Sequence, residues 1–338
     1  MYKQITENPP VVDSHSVVTG RIEKAAVKGN ALSNMLLKAT GNRIGLTELK
    51  GKESTEVKGG VVLSGAMKDI EGGDTGFVEI PGKTFSIELG MTASDPNYHE
   101  PMDSVGGMVM AVRHPRTGQE FEVAMAVLAD GVSKVNDDPA QDSAAISQIA
   151  CRTGMKSIQE QIRRNGGYDM DETYVEIRDE LRRKGLEHGA TTFQLLIVTP
   201  SEKRDDEAIA IVYSFGSKKD MGPVLFYGPD GQLDTNASRV FGQNEPNQFV
   251  TNSGRPLNYD VQGYRVNSGA SIVLTTDGNL NPDDLTGSQR KVKNSGNFGK
   301  YFRTMTGQDT RADVNPDDTS LVRLNIKGPL KKVTSITK

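Results

Sequence analysis

The 338-residue chain has a single cysteine, Cys151, so no intramolecular disulfide can form and zinc sites of the Cys₄ or Cys₂His₂ kind are excluded. A reducing compartment, the cytoplasm, is the expected home. The four histidines, His15, His99, His114 and His188, stand at no metal-ligand spacing, and there is no Gly-x-Ser-x-Gly elbow. No stretch approaches the roughly 18 apolar residues of a membrane-spanning helix, and the start MYKQITENPP has neither the basic nor the apolar part of a signal peptide. No membrane partner is expected. Charge of one sign is missing too: 40 Lys and Arg against 44 Asp and Glu give a net charge of -4, without the basic footprint of a nucleic-acid binder. With 36 glycines and 15 prolines, the chain stays below the roughly 25–30% that marks low-complexity segments. A soluble globular protein of one large or two modest domains is expected.

The first 75 residues read weakly: a short helix over 25–38, then polar, glycine-dotted sequence with no sustained period. They are expected to form an N-terminal arm or appendage, partly disordered, ahead of a folded domain over 76–328 and a tail over 329–338. From Gly76 the pattern changes. Phe77, Val78 and Ile80, then Phe85, Ile87 and Leu89, alternate with polar residues as half-buried strands do. VGGMVMAVRHP and EFEVAMAVLAD, separated by turn chemistry at 115–118, predict an antiparallel hairpin.

A helix is predicted over 139–164, where Cys151, Met155, Ile158 and Ile162 recur at helical spacing and Pro139 suits a first turn. A second follows over 170–184, with Tyr174, Ile177 and Leu181 on one face and Gly185 as its stop. ATTFQLLIVTP, EAIAIVYSFG, GPVLFYG, SIVLTTDG and TSLVRLNI then read as strands, with short helices near 282–285 and 298–305. The order of elements fits an α+β layered domain better than a βαβ alternation.

Aspartates stand at the ends of apolar runs: Asp130 after VAMAVLA, Asp277 after SIVLTT, and Asp317 with Asp318 just before TSLVRLNI. Carboxylates at strand ends can converge on one sheet edge, and hard divalent cations take oxygen ligands of this kind. Asp-Gly is also the commonest hairpin-turn dipeptide. A third copy, Asp230-Gly231 in YGPDGQL, reads as a turn.

Four segments in fixed order resemble the metal-dependent Ser/Thr protein phosphatases of the type 2C family: Leu128-Ala129-Asp130-Gly131, Gly189-Ala190-Thr191-Thr192, Leu274-Thr275-Thr276-Asp277-Gly278 and Asp317-Asp318-Thr319-Ser320-Leu321. The resemblance covers about 85–327. It implies an α+β fold of two packed, mostly antiparallel sheets flanked by helix pairs, a four-layer sandwich with a dinuclear metal site at one edge. It assigns Asp130 as the carboxylate bridging two Mn²⁺ or Mg²⁺ ions, Gly131 as a main-chain carbonyl ligand, and Asp277 and Asp317 as ligands of one metal. Asp103 matches the family's first acidic motif. The implied reaction is hydrolysis of phosphoserine or phosphothreonine on a protein substrate by a metal-bridging water, without a phosphoenzyme. Asp130 and Asp277 are its catalytic candidates.

The chain departs from the family at several places. Tyr98 stands at the position of the phosphate-binding Arg, Met102 at that of the second metal's Glu, with Glu100 two residues away. Gly216 replaces the aspartate of a third metal, Val132 follows Asp130-Gly131, and Asn281 stands where a further aspartate is common. These losses motivate an alternative, a catalytically impaired pseudophosphatase serving as a binding or regulatory module. A small-molecule phosphohydrolase is a third reading. Arg113, Arg116 and Lys134 are substitutes for the phosphate-binding Arg, though each reads first as a surface charge.

Gly82-Lys83-Thr84 ends like a phosphate loop but lacks its spacing. Cys151 on a helix stripe reads as core, and Met102, Met108 and Met110 read as strand packing.

Overall fold

The computed structural model describes residues 11–13, 38–39, 54–57, 60–64, 75–92, 102–113, 119–132, 134–135, 138–139, 141–165, 167–201, 204–216, 222–240, 250–252, 259–276, 298, 301–302, 319–328 and 330. The strands before the helices are β1 (Val11–Asp13), β2 (Lys38–Ala39), β3 (Ser54–Val57), β4 (Gly60–Ser64), β5 (Thr75–Ile80), β6 (Phe85–Thr92), β7 (Ser104–Arg113), β8 (Glu120–Ala129), β9 (Lys134–Val135) and β10 (Asp138–Pro139). Two helices follow, α1 (Ser143–Asn165) and α2 (Met170–Arg183). Then come β11 (Phe193–Pro200), β12 (Glu207–Phe215), β13 (Pro223–Tyr227), β14 (Arg239–Val240), β15 (Asp260–Asn267), β16 (Ser271–Thr275) and β17 (Thr319–Ile326).

The larger sheet is ordered β1-β15-β12-β11-β8-β7-β4-β3, with β2 also on β7, and the smaller β14-β13-β16-β17-β6-β5. Among the described residues every strand pairing is antiparallel except that of β1 with β15. The predicted hairpin is β7 on β8, in register from Ser104 opposite Ala129 to Arg113 opposite Glu120.

β8 explains the layering. Phe121, Val123, Met125, Val127 and Ala129 point to one side and join a core with Ile146, Cys151, Met155, Ile158 and Ile162 of α1 and with Tyr174, Ile177 and Leu181 of α2. Ala124, Ala126 and Leu128 point to the other side, where they meet Ile87, Leu89, Leu274, Val322 and Leu324 of the smaller sheet. Burial on both faces makes this strand an almost unbroken apolar run, since neither face meets water. On the outer face of the smaller sheet, Leu225, Tyr227, Val273 and Leu321 are covered by Phe298, Tyr301 and Phe302, which are helical. Arg323 there pairs with Glu88 and lies against the rings of Phe298 and Tyr301, 5.3 and 4.9 Å from their centroids.

α2 forms where predicted. Asp169 caps it by accepting from the Asp171 N–H, acidic Asp171 and Glu172 sit in its first turn, and Arg182 and Arg183 in its last, as the helix dipole favours. Gly185 follows at φ +69°.

Several expectations are corrected. α1 starts at Ser143, not at Pro139, because Asp138-Pro139 pairs with Lys134-Val135 instead of entering a helix. Residues ahead of 76 also enter the larger sheet: β3 and β4 pair with each other, and β4 adds to β7. Val61, Val62 and Leu63 carry no alternation because both faces of β4 are buried, which hid the strand. Leu330, beyond the expected end at 328, is buried in the core between the sheets. The predicted helix over 25–38 lies outside the described residues except at Lys38, which pairs with Arg113 as a strand. The predicted helix at 282–285 also lies outside the described residues.

Candidate active site

The registers align residues of many strands into rows. In the larger sheet, Ser104 faces Ala129, Leu128 faces Gln194, and Gln194 faces Ser214. Extended by one residue, the β7–β8 register sets Asp103 beside Asp130; extended by two, the others set Asp130 beside Thr192 and Thr192 beside Gly216. In the smaller sheet, Val224 faces Leu274 and Leu274 faces Val322, so the row two residues out is Gly222, Thr276 and Ser320. All these positions share the phase of the side chains that fill the space between the sheets.

Along that inner face the chemistry changes at one end. Val105, Leu128, Leu196, Val212, Leu274 and Val322 belong to the inter-sheet core. Towards the end marked by Asp130, the in-phase positions become Asp103, Asp130, Thr192, Gln194, Ser214, Thr276 and Ser320. Asp130 is half-buried and the other six are buried. Among the described residues the apolar layer between the sheets thus gives way, at this end, to a polar mouth assembled from β7, β8, β11, β12, β16 and β17.

Hydrogen bonds tie the two sheets together there. The Thr276 hydroxyl donates to Oδ2 of Asp103 at 2.7 Å and accepts from the Ser320 N–H at 2.8 Å. The Gln194 amide crosses to the smaller sheet by donating from Nε2 to the Gly222 carbonyl at 2.9 Å. Behind the acids, the Asp130 carbonyl accepts from the Thr192 N–H and the Thr191 hydroxyl, both at 2.8 Å, and the Asp130 N–H donates to the Thr192 hydroxyl at 3.1 Å. The segment Gly189-Ala190-Thr191-Thr192 thus fixes the backbone of Asp130.

Two Asp-Gly dipeptides have opposite roles. Asp230-Gly231 is a turn, as predicted: Gly231 has φ +74°, and Asp230 Oδ1 accepts from the Gln232 N–H at 3.0 Å. Asp130-Gly131 is not a turn, for the chain runs on to bridge Gly131 with Thr191. Gly131 is glycine for want of space: a Cβ there would lie 2.7 Å from the Met102 Cβ and 2.8 Å from the Met102 carbonyl oxygen. Gly216 sits at φ +133°, a conformation that side chains other than glycine rarely adopt, so the backbone itself disfavours an aspartate at that position.

The structure brings together Asp103, Asp130 and Gly131. Asp277 and Asp317 lie outside the described residues, as do Tyr98, Glu100, Arg116 and Asn281; of Arg113 and Lys134 only the backbone is described. Among the described residues no three His, Cys, Asp or Glu side chains group as a metal site. Asp103 and Asp130 are two carboxylates on neighbouring chain segments, oxygen donors of the kind that a hard divalent cation prefers. Cys151 is core, as predicted. Burial, and secondarily the charge of Asp103, raise its thiol pKa well above the usual value, so it is no nucleophile.

The sequence reading missed Thr192, Gln194, Ser214, Thr276 and Ser320 as parts of the mouth. Their signal was phase: each is a polar residue in step with buried apolar ones, as Gln194 is with Leu196 and Val198.

No family model matches the chain, and no curated protein sequence matches it. Solved structures do. The S. agalactiae serine/threonine phosphatase is 12% identical with TM-score 0.43, over 72% of this chain and 100% of that one. The Mycobacterium tuberculosis serine/threonine phosphatase PstP/Ppp is 10% identical with TM-score 0.40, over 66% and 99%. The catalytic domain of the serine/threonine protein phosphatase PstP in complex with 2 manganese ions is 12% identical with TM-score 0.41, over 72% and 100%.

Proposed function

We propose that the polar mouth is the site of a metal-dependent protein phosphatase that hydrolyses phosphoserine or phosphothreonine. The observation that carries this reading is the placing of Asp103 and Asp130 on adjacent strand ends at a polar end of the inter-sheet layer, with Thr276 joining Asp103 to the second sheet. Asp103 and Asp130 would hold Mn²⁺ or Mg²⁺ with the Gly131 carbonyl, and the resemblance adds Asp277 and Asp317. A divalent cation there supplies Lewis acidity, activating water and offsetting charge on the phosphoryl group. The chain's own residues orient the acids: Thr276 holds one oxygen of Asp103, and Thr191 with Thr192 holds the main chain of Asp130. The apolar layer below, with Leu128 and Leu274, keeps bulk water from entering behind the carboxylates. A cytoplasmic setting and a phosphoprotein partner belong to the same proposal.

The test is release of phosphate from a phosphothreonine peptide with Mn²⁺, with EDTA, and with Asp130→Asn. Turnover that needs metal and falls at least about 100-fold in the variant, the scale of removing one electrostatic group from an active site, is expected. Metal-independent turnover, or an unchanged rate in Asp130→Asn, overturns the assignment. A second reading, the pseudophosphatase, is favoured by Met102 and Gly216, neither of which offers a carboxylate. It predicts a well-folded protein with no turnover.

A further inference from the structure

We propose that Ser147 of α1 is a positioning residue for Asp103, a role that rests on the metal-site reading above. One stripe of α1, at intervals of four residues, faces the strand ends that carry the two acids. Ser143 Oγ accepts from the Ala190 N–H at 3.2 Å, just ahead of the threonines that hold Asp130. Ser147 Oγ donates to the Met102 carbonyl at 2.5 Å and lies 3.0 Å from Ser104 Oγ. Cys151 Sγ donates to the Ser104 carbonyl at 3.4 Å.

Ser147 has one hydroxyl proton and two carbonyls in reach; with the proton on the shorter contact, to Met102, it accepts from Ser104, and the Ala144 carbonyl is the alternative acceptor. Ser147 therefore grips the residues on both sides of Asp103. Strand alternation completes the geometry, because Ser104 points to the helix layer while Asp103 points between the sheets. Asp103 is clamped through its main chain from the helix side and through its carboxylate, by Thr276, from the other. The ladder of β7 begins only at Ser104, so the clamp acts where strand pairing ends. A serine serving only itself would be content with its bond to the Ala144 carbonyl one turn back, at 2.9 Å.

Ser157 supplies the control. It is as buried on the same helix, but it bonds to Thr173 and Gln161, on α2 and α1.

The experiment compares the full chain with Ser147→Ala and Ser157→Ala by three readouts: calorimetric titration of the metal-stripped protein with Mn²⁺, amide hydrogen exchange at Asp103 and Ser104, and Tm. Both variants should lower Tm. Only Ser147→Ala should weaken Mn²⁺ binding, by about 10-fold, the low end of the loss seen when groups that orient metal ligands are removed, and only it should speed exchange at Asp103 and Ser104. Unchanged affinity and unchanged exchange in Ser147→Ala overturn the proposal, as does equal weakening in Ser157→Ala. If the unaltered chain binds no Mn²⁺, the metal reading fails, and exchange alone decides the clamp: faster at 103–104 in Ser147→Ala only supports it, and no difference overturns it. Should Ser147→Ala not fold, Ser147→Cys keeps the shape with a weaker donor and is expected to fall between the two, while wild-type affinity and exchange in it count against the clamp.

Discussion

β8 carries a carboxylate near each end on the same face, Glu122 and Asp130, and their surroundings differ. Glu122 accepts from three successive backbone N–H groups of the smaller sheet, those of Lys83 at 2.9 Å, Thr84 at 2.6 Å and Phe85 at 3.3 Å. The phosphate-loop-like Gly82-Lys83-Thr84 does form an anion cradle, and the anion is the chain's own Glu122. At the other end, Asp130 stands beside a second acid. In the rows around it, Gln194 Oε1, Ser214 Oγ and Ser320 Oγ are buried with no hydrogen-bond partner among the described residues. Polar groups left unsatisfied inside a protein cost stability and call for a reason. One end of the sandwich is a closed fastening between sheets; the other keeps polar capacity in hand, as a binding site does.

The largest expected effect separates these ends. Asp130→Asn should remove at least about 100-fold of turnover while Tm stays near that of the unaltered chain, checked by phosphate release and thermal denaturation. Glu122→Gln should do the reverse, lowering stability by about 2 kcal/mol, the scale of a hydrogen bond to a charged group, with turnover per folded molecule unchanged. Chemical denaturation measures it, and equal stability losses in the two variants would erase the difference between the ends. Gly131→Ala sharpens the comparison from the side of packing. The methyl group has no room against Met102, so about 1–3 kcal/mol of overpacking is expected, together with lost turnover because Met102 adjoins Asp103. The smallest effect needs no substitution: a thiol reagent should leave Cys151 unlabelled in the native protein, even as pH rises through the ordinary thiol range, and label it on unfolding. Rapid native labelling would contradict the burial of the α1 stripe that supports the mouth.

The hairpin of β7 and β8 and helix α2 were legible because each depends on short-range pattern. Pro-Arg-Thr-Gly between two apolar runs and Tyr174, Ile177 and Leu181 at helical spacing are local signals. β15 was not legible. In DVQGYRVN only Val261, Tyr264 and Val266 are apolar and buried, and the strand exists through its pairing with β12 over eight residues. β4 was hidden for the opposite reason, apolar on both faces with no period to read. Of the candidate site, Asp103, Asp130 and Gly131 were singled out by motif resemblance. The remainder of the mouth was missed because a single threonine or glutamine in a strand signals nothing until its row is known.

By itself the sequence determined the β7–β8 hairpin, the apolar strands from β11 on that carry a local pattern, the helix pair between them, and which acids end apolar runs, since periodicity and residue chemistry are properties of short stretches. Only the tertiary structure decided that Asp103 lies beside Asp130, that Thr276 reaches Asp103 across 173 positions of the chain, and that a glycine-bearing loop spends its N–H groups on Glu122. Those facts depend on strand register and sheet stacking, which are set by the packing of many distant side chains at once.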